Sequence, residues 1–195
     1  MNNTTPMLSS LIDGKEVLLN GISAAYNNCG VIPITEEITR EYAAEICALI
    51  YMSKRPLVLA INSPGGEVFS ALSICNAIRK CGYEVSTCCE GIAYSAASLI
   101  LAAGSPGHRY CIPDGDVMIH QCIGSGVSGQ ASDILIQADH TKRVNEKVCR
   151  KLADLTGQPY EQIVLDVDRN NYMTPEMAQE YGIIDHIGTP ETYYK

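Results

Sequence analysis

Residues 90–98 read Glu90-Gly91-Ile92-Ala93-Tyr94-Ser95-Ala96-Ala97-Ser98, and the fold turns on how they are parsed. An apolar, β-branched run from Tyr83 to Cys89 stops at Gly91, and a run of small residues from Ser95 to Ala103 follows. The first reads as a strand and the second as a helix, with a tight turn between them. A serine at such a turn carries its Oγ at a helix N-terminus. There, unpaired backbone N–H groups and the positive end of the helix dipole stabilise a developing oxyanion.

Two flanking stretches complete the pattern. Upstream, Ile61-Asn62-Ser63-Pro64-Gly65-Gly66 follows the strand-like run Leu57 to Asn62 and makes a turn whose N–H groups no Cβ shields. Downstream, Met118-Ile119-His120-Gln121 brings a histidine to the end of an apolar strand. One serine, one histidine and two donor turns are the parts of an acyl-transfer site. Taken singly, each also has a plainer reading: a packed helix start, an ordinary turn, a core histidine. The Gly-x-Ser-x-Gly pattern of a nucleophile elbow is not present.

These motifs in this order resemble the proteolytic subunit of the ATP-dependent Clp protease, the ClpP family. That family carries a Ser-Pro-Gly-Gly turn, a serine in a small-residue helix start and a Met-Ile-His-Gln histidine, here Ser63 to Gly66, Ser95 and Met118 to Gln121. The similarity runs from about Glu16 to about Ile187 and includes Gly129-Gln130-Ala131, Thr156-Gly157-Gln158 and Glu180-Tyr181-Gly182-Ile183-Ile184-Asp185. It implies an α/β fold of the ClpP/crotonase type, repeated β-α-β units with a projecting long "handle" helix. By the same resemblance, Ser95 is the nucleophile, His120 the general base, and Gly66 and Ala96 the oxyanion donors. The placement of Ser95 and His120 speaks against the acyl-CoA chemistry of the crotonases.

Aligned on Glu161-Gln162-Ile163 and Tyr181-Gly182, the family's catalytic aspartate falls at Asn170. An amide oxygen can accept the imidazole N–H but brings no charge to stabilise an imidazolium. In a trypsin-like triad that exchange costs about 10⁴ in kcat, whereas papain-like proteases work with asparagine in the third position. Asp166 and Asp168 are nearby alternatives, with the plainer reading of solvated carboxylates. Arg169 stands where the family has an arginine between rings. The resemblance thus implies a serine endopeptidase that cleaves unfolded polypeptides inside stacked seven-membered rings. The alternative is a catalytically weak or silent ring subunit that needs an active paralogue.

The chain punctuates itself in a way that suits this architecture. Residues 1–15 read as a flexible N-terminal segment, shorter than the family's usual one, which contacts its unfoldase partner. Residues 16–190 read as one domain and 191–195 as a tail. Glu16 to Ile22 reads as a first strand, and Ala24 to Pro33, with Asn27-Asn28-Cys29-Gly30, as an insertion. From Thr35, Ile38, Tyr42, Ile46, Leu49 and Ile50 recur at helical spacing, and Val68, Leu72, Cys75 and Ile78 do so after the Gly-Gly turn. Strand and helix alternate, so the strands are expected to be parallel, with both glycine turns on their carboxyl edge, where ligands bind. Arg109 to Ile112 and Val117 to His120 continue the pattern.

After the glycine-rich 124–129, a helical stretch from about Gln130 to Thr156 spans roughly 27 residues, or ~40 Å. It carries an apolar seam of Ile134, Ala138, Thr141, Val144, Val148, Leu152 and Leu155. The handle, about residues 124–156, is expected to pair with another subunit. A helix at Tyr160 to Asp166, another after Thr174-Pro175 and a short strand at Ile183-Ile184 complete the reading.

Composition excludes several other functions. A net charge of −8 argues against nucleic acid. No apolar run is long enough to cross a membrane. The opening Met1-Asn2-Asn3-Thr4-Thr5-Pro6 lacks the parts of a signal peptide, so a cytoplasmic location is expected. The nine cysteines are odd in number and irregular in spacing, and the four histidines are scattered, so reduced core thiols are expected and no metal. No Gly-x-x-x-x-Gly-Lys-Ser/Thr loop occurs, so no cofactor is expected, and ATP would be used only by a separate AAA+ partner of the Clp type.

Overall fold

A computed structural model of the chain describes residues 7–12, 15–124, 126 and 128–191. Two antiparallel strands come first: β1 (Met7–Ile12) pairs with β2 (Lys15–Asn20), from Met7 opposite Asn20 to Ile12 opposite Lys15. The flexible segment expected over residues 1–15 therefore contains a paired strand, and residues 1–6 lie outside the described residues. Strand β2 stops at Asn20 rather than Ile22 because the Asn20 side chain accepts from the Ser23 N–H at 2.8 Å and starts a helix.

That helix, α1 (Gly21–Cys29), ends at Gly30 in the left-handed conformation and leads into β3 (Val31–Ile34). The stretch expected to be an insertion, Ala24 to Pro33, is thus helix and sheet edge. Next, α2 (Arg40–Met52) begins later than Thr35 because the Thr39 hydroxyl caps the Tyr42 N–H at 3.2 Å. Ile38, fully buried, instead makes a parallel bridge to Gly66.

The alternation then runs as expected: β4 (Leu57–Ser63), α3 (Val68–Lys80), β5 (Val85–Tyr94), α4 (Ala96–Ala102), β6 (Arg109–Cys111) and β7 (Asp116–Ile119). It is followed by α5 (Ala131–Thr156), α6 (Tyr160–Asp166), β8 (Asn171–Met173), α7 (Pro175–Tyr181) and β9 (His186–Ile187). Ile183 and Ile184, expected as the last strand, are buried in the turn after α7, and the strand forms two residues later. Strand β8 was not anticipated, three residues being too short to show a period.

The main sheet has the order β3-β4-β5-β6-β9, with β7 on β5 and β8 on β7; only the β7–β8 pair is antiparallel. Strand β5 is the hinge of this arrangement. Its first half pairs with β6 through Thr87 to Cys89, and its second half with β7 through Ile92 to Tyr94. Gly91 lies between the two halves, where a Cβ would stand 2.6 Å from Asn62 Oδ1. The core fills the space between this sheet and its helices with Ile32, Ile34, Ile46, Leu59, Ile61, Ile74, Ile100 and Leu101. Helix α5 has 26 residues; residues 131–140 are exposed all round, and burial is reached only at Cys149 and Leu152.

One ion pair closes the far side of the sheet. The Arg109 guanidinium meets Asp185 at 2.6 and 2.9 Å and also donates to the carbonyls of Leu155 and Gly182. Their side chains are only 12% and 19% exposed. Burial pushes the Asp185 carboxyl up, but the hydrogen bonds and charge of Arg109 outweigh it, and the net shift is downward. Removing one partner strands a buried charge, so Arg109→Leu should cost about 3–5 kcal/mol in urea unfolding at neutral pH. The sign with pH follows from the depressed carboxyl. Its contribution is present above the ordinary carboxylate value and is lost as pH falls through the lower folded value. Asp185→Asn should therefore remove stability at pH 7 and little at the acid end, whereas an equal loss at both would show that the carboxylate's charge is not what stabilises.

Candidate active site

The turn between β5 and α4 holds Ser95 in a conformation that its residue type disfavours. Its φ is 55° and its ψ −122°, and it is the only non-glycine residue with positive φ among the described residues. Such strain costs on the order of 1–3 kcal/mol and persists only where the surroundings over-determine it. Here three hydrogen bonds do so. The Ser95 N–H donates to the Met118 carbonyl at 2.8 Å, and its own carbonyl accepts from the Ser98 N–H at 3.1 Å and the Ser98 hydroxyl at 2.6 Å. The backbone reaches the sharp strand-to-helix turn of a nucleophile elbow without that motif's glycines.

His120 follows β7, next to β5, and its Nε2 lies 2.7 Å from Ser95 Oγ. Burial alone lowers the imidazole pKa below its ordinary value of 6.5. No carboxylate contributes, and among the described residues His120 makes no other side-chain hydrogen bond. The pair is therefore a neutral imidazole against a hydroxyl, the arrangement in which the base can take the proton.

Opposite Ser95, the turn after β4 approaches so closely that only glycine fits. A Cβ on Gly65 would stand 2.6 Å from the Tyr94 carbonyl and 2.8 Å from Ser95 Cβ, and one on Gly66 would stand 2.6 Å from the Ile38 backbone. The turn is fixed from behind: Ser63 Oγ donates to the Glu36 carbonyl at 2.6 Å, and Ile38 N–H donates to the Gly65 carbonyl at 2.8 Å. Glu67 N–H completes that bridge on the Ile38 carbonyl, which leaves the Gly66 N–H outside it. Ala96 is the first residue of α4, so its N–H has no acceptor within the helix. Gly66, Ala96, Ser95 and His120 line one cavity of about 520 Å³ with Val68, Leu99, Met118, Val148 and Leu152. That is within the ordinary range for a ligand site, with apolar walls and a few polar groups.

The third expected residue lies just before the strand next to the pair, and no hydrogen bond among the described residues joins it to His120. Strand β8 pairs antiparallel with β7, Met118 opposite Tyr172 and Ile119 opposite Asn171, and one further step of that register sets Asn170 across from His120. Its amide, however, donates to Tyr172 Oη at 3.4 Å. Of the alternatives, Asp166 accepts from Gln162 at 2.8 Å and from Tyr181 Oη at 2.8 Å, so both its oxygens are engaged. The Asp168 carboxylate faces Arg169 at 3.5 Å in the open, while its backbone carbonyl accepts from Gln121 Nε2 at 2.8 Å. Together with the Gln121 N–H on the Val167 carbonyl, at 2.6 Å, this stitches the 167–171 loop to the residue after His120.

Sequence reasoning passed over Tyr94, Asp116 and Tyr172. Tyr94 Oη donates to Asp116 Oδ2 at 2.7 Å, a bond to an anion that, first among several causes, pushes the phenol up to about 12. Tyr94 and Tyr172 meet edge to face. No periodicity in residues 170–173, Asn-Asn-Tyr-Met, signals this arrangement.

Among the described residues, no group of three or more His, Cys, Asp or Glu side chains could hold a metal ion. No helix among them is long and apolar enough to cross a membrane. Compared with known protein families, the chain matches the family model described as Clp protease over residues 14–191.

Proposed function

The chain belongs to the Clp protease family, and from that premise we propose that it is a serine endopeptidase subunit acting on unfolded polypeptides within a ring-shaped compartment. The observation that carries the reading is the 2.7 Å contact between His120 Nε2 and Ser95 Oγ at a strained turn. In the proposed reaction Ser95 Oγ attacks the scissile carbonyl while His120 Nε2 takes its proton. The Gly66 and Ala96 N–H groups receive the oxyanion, and collapse of the tetrahedral intermediate returns the proton to the leaving amine. Water then repeats the sequence on the acyl-enzyme. Asn170 Oδ1 would accept the His120 Nδ1–H and hold the tautomer. No step uses a cofactor, and unfolding by ATP hydrolysis would fall to a separate partner of the AAA+ class.

A second reading, a weak or silent ring subunit that depends on an active paralogue, is favoured by one specific feature. Among the described residues no anion contributes to the shift at His120, and the Asn170 amide donates to Tyr172 rather than meeting the ring. An imidazolium formed during acylation would go without the charge that stabilises it.

The two readings separate on the purified chain. Under the first, an active-site phosphonate labels Ser95, and Ser95→Ala abolishes both labelling and peptide hydrolysis; labelling at Ser63 or Ser98 would sink the assignment. Asn170→Asp should raise kcat about tenfold, or about 1.4 kcal/mol of transition-state stabilisation. The acid limb of kcat/KM should move with it. In the native chain the limb lies below the ordinary imidazole value, and a carboxylate beside His120 would favour the charged ring and shift the limb to higher pH. If Asp168→Ala removes activity while Asn170→Asp changes nothing, the third member is Asp168.

For assembly, the exposed start of α5, with Ile134, Leu135 and Ile136 at 40%, 67% and 63% exposure, is the surface proposed to pair between rings. Sedimentation should give a particle many times the 21.1 kDa chain, and a monomer at micromolar concentration would overturn it.

A further inference from the structure

His120 stands just past the end of β7, and little holds it directly. Among the described residues its ring makes no hydrogen bond besides the one to Ser95 Oγ. Its place is set by the backbone on either side. Before it, the Met118 carbonyl is tied to the Ser95 N–H at 2.8 Å. After it, successive N–H groups go to two different elements. Gln121 N–H donates to the Val167 carbonyl at 2.6 Å, at the end of α6, and Cys122 N–H donates to Asn145 Oδ1 at 2.9 Å, in the middle of α5.

Asparagine is a poor residue for a helix interior, because its side chain competes with the backbone for hydrogen bonds. Asn145 shares a face of α5 with Thr141, Val148 and Leu152, by their spacing. Val148 and Leu152 line the cavity together with Ser95, His120 and Cys122. A Cβ on Gly124 would stand 3.4 Å from Thr141 Oγ1, so the chain leaving His120 runs along this face. The Thr141 hydroxyl is engaged by the Gln137 carbonyl at 3.0 Å, and Asn145 is the side chain that offers this segment an acceptor. The end of the amide is not in question, because a backbone N–H only donates and must meet the oxygen. We propose that Asn145 is a positioning residue: its Oδ1 holds the Cys122 N–H, fixes the backbone just past His120 and so keeps Nε2 aligned on Ser95 Oγ. The proposal rests on the reading of Ser95 and His120 as nucleophile and base, and it is independent of which residue is the third member.

Asn145→Leu keeps the size of the side chain and removes the acceptor, whereas Asn145→Asp keeps an acceptor. Two rates are measured on each: peptide hydrolysis, and labelling of Ser95 by a small fluorophosphonate without peptide arms, which reads the Ser95–His120 pair apart from the cavity walls. Asn145→Leu should lower kcat and the labelling rate together by about tenfold, a modest misalignment of a reacting pair, with KM changed by no more than about twofold. Asn145→Asp should keep both rates within about threefold of the native ones, because a carboxylate oxygen still accepts. The comparison is made on particles that sediment as the native chain does, and if Asn145→Leu does not assemble, Asn145→Ala takes its place. No loss on removing the acceptor, a raised KM with labelling unchanged, or equal losses in Asn145→Leu and Asn145→Asp overturns the proposal. The underlying reading fails in a different way: the native chain itself then goes unlabelled at Ser95, and the role of Asn145 falls with it.

Discussion

The hydrogen bond from the Ser95 N–H to the Met118 carbonyl, 2.8 Å, ties the end of β5 to β7 at the point where one strand turns into a helix and the other approaches its histidine. Everything in the site depends on β5 changing neighbours at Gly91. Before it, the strand is bound to β6 and belongs to the core; after it, the strand is bound to β7 and delivers Ser95 beside His120. The exchange needs a residue without a side chain, because Asn62 Oδ1 comes within 2.6 Å of where a Cβ would be and accepts from the Ile92 N–H at 3.2 Å. A parallel sheet alone would put a serine on the carboxyl edge. Switching partners within one strand puts a histidine there as well.

The same crowding explains the strain at Ser95. Gly65 fills the space behind the turn so closely that Ser95 cannot relax toward it, and the Ser98 hydroxyl holds the Ser95 carbonyl from the helix side. The left-handed backbone is maintained by packing and hydrogen bonds rather than by a glycine in the sequence. Burial lowers the imidazole pKa and so keeps the ring neutral. Geometry and the neutral ring suit proton abstraction, while desolvation and the missing anion both leave the protonated state of His120 under-stabilised.

What the sequence made legible divides along physical lines. The alternating β-α units, the Gly65-Gly66 turn and the position of Ser95 were readable because glycine punctuation and hydrophobic period are local. The long helix was readable because its seam repeats. Helix α1 was missed although its signals were present: Asn20 is a cap and Gly30 a left-handed stop, but Asn27-Asn28 between them resembled a turn. The later start of α2 was also written locally, in the Thr39 hydroxyl, and was outweighed by Ile38 falling in phase with the helix although it serves the bridge to Gly66. The matched motifs led to Ser95 and His120 and to the position of Asn170. They did not lead to the neighbours of its amide, a tyrosine and the groups packed on it from three strands far apart in the chain.

That last distinction bears on how an asparagine can stand in such a place at all. An aspartate is oriented by its own charge, since either oxygen turns to a donor and the nearest cationic ring draws it in. An amide has no such guidance, and in water its two ends would exchange freely. The cost of fixing it has to be met by neighbours that are themselves fixed, and here they are fixed unequally, Tyr172 being 51% exposed. Asp116 holds Tyr94, Tyr94 holds the ring of Tyr172, and the hydroxyl of Tyr172 meets Nδ2. The first link is short and made to an anion, the second is aromatic packing and the third is long, so rigidity falls toward the amide. A contact that long, to a hydroxyl that both donates and accepts, leaves the amide able to turn either end toward His120, so no preset orientation replaces the charge that an aspartate would bring.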